Sequence, residues 1–152
     1  KDLSVGMMFQ GVAGAERVLN GSSINPFNGG GGSGNLYSNI DDRWTEENPD
    51  QNAFYPRLSY GSETTSSINN FQKSTWWVRN MNFLRLKTLQ LSYNLPKPWV
   101  NKVHLKNAAV YVMGTNLFTL SRFKLWDPEL NTDNGASYPN TTSYSVGINF
   151  TF

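Results

Sequence analysis

The stretch Tyr144-Ser145-Val146-Gly147-Ile148-Asn149-Phe150-Thr151-Phe152 carries apolar or aromatic residues at every second position and small or polar ones between them. Successive side chains of a strand point to opposite faces, so the segment reads as a strand with one apolar and one polar face. A soluble sheet can alternate in the same way, its apolar face laid on a core. The aromatic Phe152, with no polar tail after it, points instead to a transmembrane barrel. Such strands alternate apolar-out and polar-in between girdles of aromatic residues, whereas soluble chains usually finish in loosely held residues. This strand is expected to close the barrel.

The same period recurs upstream. Leu3, Val5, Met7 and Phe9 share one face of the first segment, opposite Asp2, Ser4, Gly6, Met8 and Gln10. Its length suits the roughly nine to eleven residues of a tilted bilayer crossing. From Phe83 to Tyr93 the apolar parity switches between Leu86 and Leu89, which predicts a bulge near Lys87-Thr88. A third segment centres on Ala109-Val110-Tyr111-Val112-Met113. The reading is therefore all-β, an antiparallel transmembrane β-barrel segment. Strands are expected at about 1–13, 78–94, 106–119 and 142–152, with long loops at about 14–77 and 120–141 and a short turn at about 95–105. Short turns at one end and long loops at the other are the habit of outer-membrane barrels, whose long loops are extracellular and short turns periplasmic. The first loop carries too many Trp, Tyr and Phe residues for simple disorder and is expected to fold.

Composition narrows the function. The 152 residues carry a net charge of +2 and no cysteine. So weak a charge, without single-sign clusters, gives no case for a nucleic-acid partner. The absence of cysteine removes disulfide frameworks, thiolate nucleophiles and cysteine metal sites. There is no apolar run of about 18 residues for a membrane helix, which leaves a barrel open. The chain opens on Lys1 without a signal segment, so a preceding portion is expected to have been processed or truncated away.

Several longer motifs resemble signatures of the SusC/RagA-type TonB-dependent transporters. They are Phe83-Leu84-Arg85-Leu86-Lys87-Thr88-Leu89-Gln90-Leu91-Ser92-Tyr93-Asn94-Leu95-Pro96, Val110 to Thr119 with Trp126-Asp127-Pro128-Glu129, and Asp42-Arg43-Trp44-Thr45-Glu46-Glu47-Asn48-Pro49 with Tyr55-Pro56-Arg57-Leu58. Tyr138-Pro139 and Phe152 also match. The resemblance implies the last four strands of a barrel of about 22 strands closed around a plug. It implies residence in a bacterial outer membrane of the Bacteroidota type, and import of an oligosaccharide or peptide rather than enzymatic catalysis. A SusD-like surface lipoprotein lid, TonB, the barrel assembly machinery and outer-membrane lipids would be the partners. No cofactor is implied.

Against that background each chemical candidate has a plain alternative. A lone His104 beside a turn, with neither cysteine nor a second histidine, reads as structural or exposed. Asp41, Asp42, Glu46, Glu47 and Asp50 lack the spacing of a calcium loop and read as a solvated face. The tract Gly29–Gly34 lacks the Lys-Ser/Thr of a phosphate loop and reads as a flexible tip. Loop aromatics can stack on sugars, which nominates Trp44, Tyr55 and Trp126 for substrate binding. The competing role is interfacial girdle or loop packing, and Trp76 and Trp77 fit the girdle best. Tyr144, Val146, Ile148, Phe150 and Phe152 resemble the terminal-strand signal read by the barrel assembly machinery. Two alternatives remain open, a non-transporting structural or assembly barrel and a soluble, aromatic-rich β-sandwich that binds carbohydrate.

Overall fold

A computed structural model describes residues 2–21, 23–26, 37–58 and 70–152. The tract Gly29–Gly34 lies outside the described residues. Two compact units emerge, a sheet unit of Lys1–Ala15, Met81–Leu130 and Tyr138–Phe152 and a loop unit of Glu16–Asn80 and Asn131–Ser137.

The sheet unit is built on four antiparallel strands in the order β1-β4-β5-β6, with β1 at Leu3–Val12, β4 at Phe83–Asn94, β5 at Asn107–Ser121 and β6 at Ser143–Thr151. Their register collects the apolar residues. Val5 pairs with Leu91, Leu91 with Val112 and Val112 with Val146, while Leu3, Tyr93, Val110 and Ile148 form the next row. Directly paired residues of an antiparallel sheet share a face, so the apolar residues of all four strands fall on one side. A one-residue bulge at Lys87 preserves this arrangement: Met8 pairs with Thr88, but Phe9 pairs with Leu86. Beyond the bulge Leu86 faces Phe118 and Leu84 faces Leu120, so the parity switch restores the apolar row.

That apolar face is uncovered. Leu3, Val5, Met7, Phe9, Leu91, Val112, Val146 and Ile148 are all exposed, Val146 by 73%. Between Leu84 and Tyr93 the face runs for about 30 Å at roughly 3.3 Å per residue. A tilt of about 40° brings this to about 23 Å, close to the roughly 25 Å apolar band of an outer-membrane barrel. A β-sandwich requires a second sheet on that face, and none of the described residues of the sheet unit supplies one. Among the described residues no helix is long and apolar enough to cross a membrane.

β4 and β5 are joined by a helix, α1 (Lys97–Lys102), where a plain turn was expected. Pro98 sits in its first turn, where the missing N–H and fixed φ do no harm. Val100 is buried and anchors it. The helix ends in a Schellman motif: His104 N–H donates to the Asn101 carbonyl and Leu105 N–H to the Val100 carbonyl, both at 3.2 Å. His104 holds the left-handed position at φ 58°, and its side chain is exposed.

The loop unit has a small sheet and a core of its own. β2 (Glu16–Val18) pairs antiparallel with β3 (Val78–Asn80). The strand expected over 78–94 is thus two strands in two sheets, separated at Met81-Asn82. Leu19, Ile24, Ala53, Tyr55 and Trp77 are buried. Trp77 meets Phe54 and Tyr55 edge-on at 6.4 and 6.3 Å and stacks on Phe71 at 6.4 Å. Its indole N–H donates to the Asn70 carbonyl at 2.9 Å, which satisfies the one polar atom of the ring.

Candidate functional site

Alternation along β4 sends Leu84 and Leu86 to the apolar face and Arg85 to the polar one. There Arg85 is 2% exposed. So buried a guanidinium requires carboxylates, and the connection after β5 supplies them through Trp126-Asp127-Pro128-Glu129. Arg85 Nη2 donates to Asp127 Oδ1, and Arg85 Nη1 lies 3.3 Å from Glu129 Oε2. Lys87, the bulged residue, reaches both Glu129 oxygens at 3.3 and 3.4 Å. Gln10 Nε2 from β1 and Asn140 Nδ2 complete the shell of Glu129 at 3.0 and 2.9 Å.

The geometry of the tripeptide is itself fixed. Glu129 N–H donates to Asp127 Oδ1 at 3.0 Å, an Asx turn across Pro128. Burial by itself would raise the Asp127 carboxyl. The Glu129 N–H and the Arg85 guanidinium outweigh it and hold Asp127 below its ordinary value. Two cations face two anions, so the cluster is neutral as a whole. It does not attract a charged ligand strongly. Its physical effect is to fasten the connection after β5 to the polar face of β1 and β4.

A second fastening lies where that connection returns. Asn116 interrupts β5 at φ 51°, in the left-handed region that asparagine tolerates. Its Nδ2 donates to the Thr141 carbonyl, and Thr142 Oγ1 donates to the Asn116 carbonyl, both at 2.9 Å. Thr115 and Ser143 hydroxyls then meet at 2.6 Å as the first polar pair of β5 and β6.

The nominated substrate aromatics take different places. Tyr55 is 1% exposed and its hydroxyl reaches Asn39 at 3.4 Å. Burial pushes that phenol up to about 12. An enclosed ring has no face for a sugar, so Tyr55 is a core residue of the loop unit and not a stacking platform. Trp44 is half-buried in the same unit, its backbone N–H donating to the Tyr55 carbonyl at 2.9 Å. Trp126 is half-buried in the sheet unit, edge-on to Phe123 at 4.9 Å. The girdle role fails for Trp77, which is also 1% exposed: a lipid-interface ring must reach the surface. Trp76 instead lines a cleft of about 350 Å³ with Asp42, Gln51, Asn52, Phe54 and Arg79. Arg79 donates there to the Phe54 carbonyl at 3.2 Å and lies over the Phe54 ring at 5.2 Å. Burial lowers its guanidinium, and Asp42 acts in the opposite direction.

The acidic residues of the loop are used locally. Asp41 pairs with Arg43 at 2.9 Å and Glu46 with Arg57 at 2.8 Å, while Asp42 and Asp50 accept backbone N–H groups. Among the described residues no group of three or more metal-ligating side chains converges.

No family model matches the chain. Over its full length it is 34% identical to TonB-dependent receptor P26 of Formosa agariphila and 28% identical to TonB-dependent receptor P3 of the same organism. It also superposes over its whole length on the RagAB peptide importer, with a TM-score of 0.71 at 28% identity in the closed-closed state and 0.68 at 27% in the open-open state. The chain belongs to the SusC/RagA-type TonB-dependent receptors. It spans 16% and 15% of the length of the two Formosa receptors and 16% of the importer chain. The outer-membrane β-barrel is the architecture of this receptor type, and the antiparallel sheet agrees with it.

The Arg85 cluster was not singled out from sequence, where Arg85 and Trp126-Asp127-Pro128-Glu129 appeared only inside motifs. A signal was available. A cation on the strand that carries the longest apolar row must be matched by carboxylates from elsewhere, and Asp127-Pro128-Glu129 offers a close pair in a turn-forming context.

Proposed function

We propose that the chain is part of the wall and loops of an importer that carries an oligosaccharide or peptide nutrient across the outer membrane. In this reading a SusD-like surface lipoprotein lids the barrel and TonB supplies energy through regions outside this chain. The carrying observation is the division of one sheet into an uncovered apolar face and a polar face with its charges internally matched. Four strands cannot satisfy their edges in lipid, so the remaining wall comes from the rest of a much longer receptor. Similarity to the RagAB peptide importer supports import, and peptide as one cargo class.

Trp44 and Trp126 are the substrate contacts this reading retains. Both are only half-buried, and an aromatic contact is worth about 0.5–1.5 kcal/mol, or roughly 2- to 12-fold in affinity. Substrate binding to the intact receptor tests the proposal. Trp44→Ala and Trp126→Ala should each weaken it several-fold at unchanged receptor level, and unchanged affinity in both would assign these rings to packing. Tyr144, Val146, Ile148, Phe150 and Phe152 serve in addition as the face recognised during barrel assembly. Phe152→Asp in the full-length receptor should lower the amount reaching the outer membrane, and equal surface levels would remove that role.

A further inference from the structure

The helix between β4 and β5 has an unusual surface for a turn. Val100 is its buried anchor, while Trp99 is 64% and Val103 62% exposed. Those two residues are four apart, the spacing that places side chains together on one side of a helical turn. Lys97, Lys102 and Lys106 lie in the same short connection, all exposed. No acid lies between Asn94 and Asn107. At this end of the sheet Asp2 is the single acid among the described residues, placed by its carbonyl accepting Asn94 N–H at 2.7 Å. Lys97 Nζ donates to the Lys106 carbonyl at 2.8 Å, which ties the two ends of the connection together.

A connection that exposes apolar side chains and cations together suits neither water nor the hydrocarbon interior. It suits the boundary between them, where a tryptophan indole and lysine ammonium groups are both satisfied. The connection lies at the end of the sheet where Tyr93 and Phe150 are exposed on the apolar face, so it is continuous with the lipid-facing wall. Short connections of outer-membrane barrels are periplasmic, which assigns the leaflet.

We propose that α1 and its flanks form a docking site for anionic phospholipid in the periplasmic leaflet. Trp99 and Val103 enter the headgroup boundary while Lys97, Lys102 and Lys106 meet the phosphates. This inference rests on the barrel reading above and adds a lipid-specific contact to it.

The test uses the full-length receptor in nanodiscs of phosphatidylcholine with or without phosphatidylglycerol. Spin labels are placed singly through Trp99→Cys, Val103→Cys and Val146→Cys, in a background free of other reactive cysteines. Collision with oxygen and with a water-soluble nickel reagent is then measured. The proposal expects Val146→Cys deep in lipid and both helix labels at headgroup depth. It also expects the wild-type receptor to retain phosphatidylglycerol over phosphatidylcholine. Lys102→Gln/Lys106→Gln should reduce that preference about thirtyfold, on the scale of membrane attraction per lysine. If Val146→Cys is in lipid while both helix labels are in water, the docking site is wrong and the barrel stands. If Val146→Cys is itself in water, the barrel reading fails first. Helix labels at headgroup depth without any preference for phosphatidylglycerol would overturn the anionic assignment.

Discussion

Arg85→Met isolates the ionic fastening on the polar face. The substitution keeps most of the side-chain volume and removes both bonds from the guanidinium. Glu129 retains Lys87, Gln10 and Asn140. Asp127 loses its cation while its side chain is only 13% exposed. Removing one partner of a buried pair typically costs about 3–5 kcal/mol. The lower end applies here, because Asp127 keeps the Glu129 N–H and its edge reaches solvent. About 3 kcal/mol corresponds to a rise of roughly 100-fold in the population of a released connection. Native-state proteolysis of the full-length receptor within residues 122–142 reads that population directly when opening is fast relative to cleavage. Arg85→Met should accelerate cleavage there by about two orders of magnitude. Arg85→Met/Asp127→Leu should recover much of the protection, because an apolar pair leaves no stranded charge. Cleavage within threefold of wild type for the single variant would show that the carboxylates find water without Arg85, and the fastening would be refuted.

Three further predictions rest on separate observations. A Cβ on Gly147 would lie 2.4 Å from the Tyr111 ring, which covers this glycine across the β5–β6 pair; Gly147→Ala should destabilise the assembled receptor by about 1–3 kcal/mol, read as a lower heat-modification temperature, and Tyr111→Ala should abolish the difference. Asp127 sits below its ordinary value, so its contribution is complete above the usual carboxylate range and is lost as pH falls through its folded value; proteolysis of residues 122–142 should be independent of pH around neutrality and rise only below about pH 4. Trp77→Ala removes the central ring of the loop-unit core and should cost about 3–5 kcal/mol there, seen as rapid cleavage within residues 37–58 while heat-modifiability of the barrel persists.

The strands were legible because their period is strict and their partners agree with it. Tyr144 to Phe150 alternates without exception and Leu3 to Phe9 with Met8 as its one exception, and the parity change between Leu86 and Leu89 marked the bulge that the register shows at Lys87. The loop unit was less legible for a physical reason. β2 and β3 are three residues each, too short for any period, and their pairing joins segments some sixty positions apart. Its core gathers Leu19, Ala53, Tyr55 and Trp77 from separate turns, so no local pattern announces them. Tyr55 and Trp77 looked like surface aromatics because aromatic loops are ambiguous: one ring type serves stacking, girdle and core. Only burial separates these roles. Helix α1 escaped notice because two prolines read as a turn, although a proline in the first helical turn is compatible with a helix.

The central claim is that β6 has one side in lipid and the other in water. A cysteine scan of residues 143–151 in the full-length receptor, labelled in the native outer membrane and quenched with brominated phospholipid or aqueous reagent, tests it residue by residue. The account predicts strict alternation, with labels at Tyr144, Val146, Ile148 and Phe150 quenched by lipid and those at Ser145 and Asn149 by the aqueous reagent. Uniform aqueous quenching along β6, or alternation of the opposite phase, would contradict it.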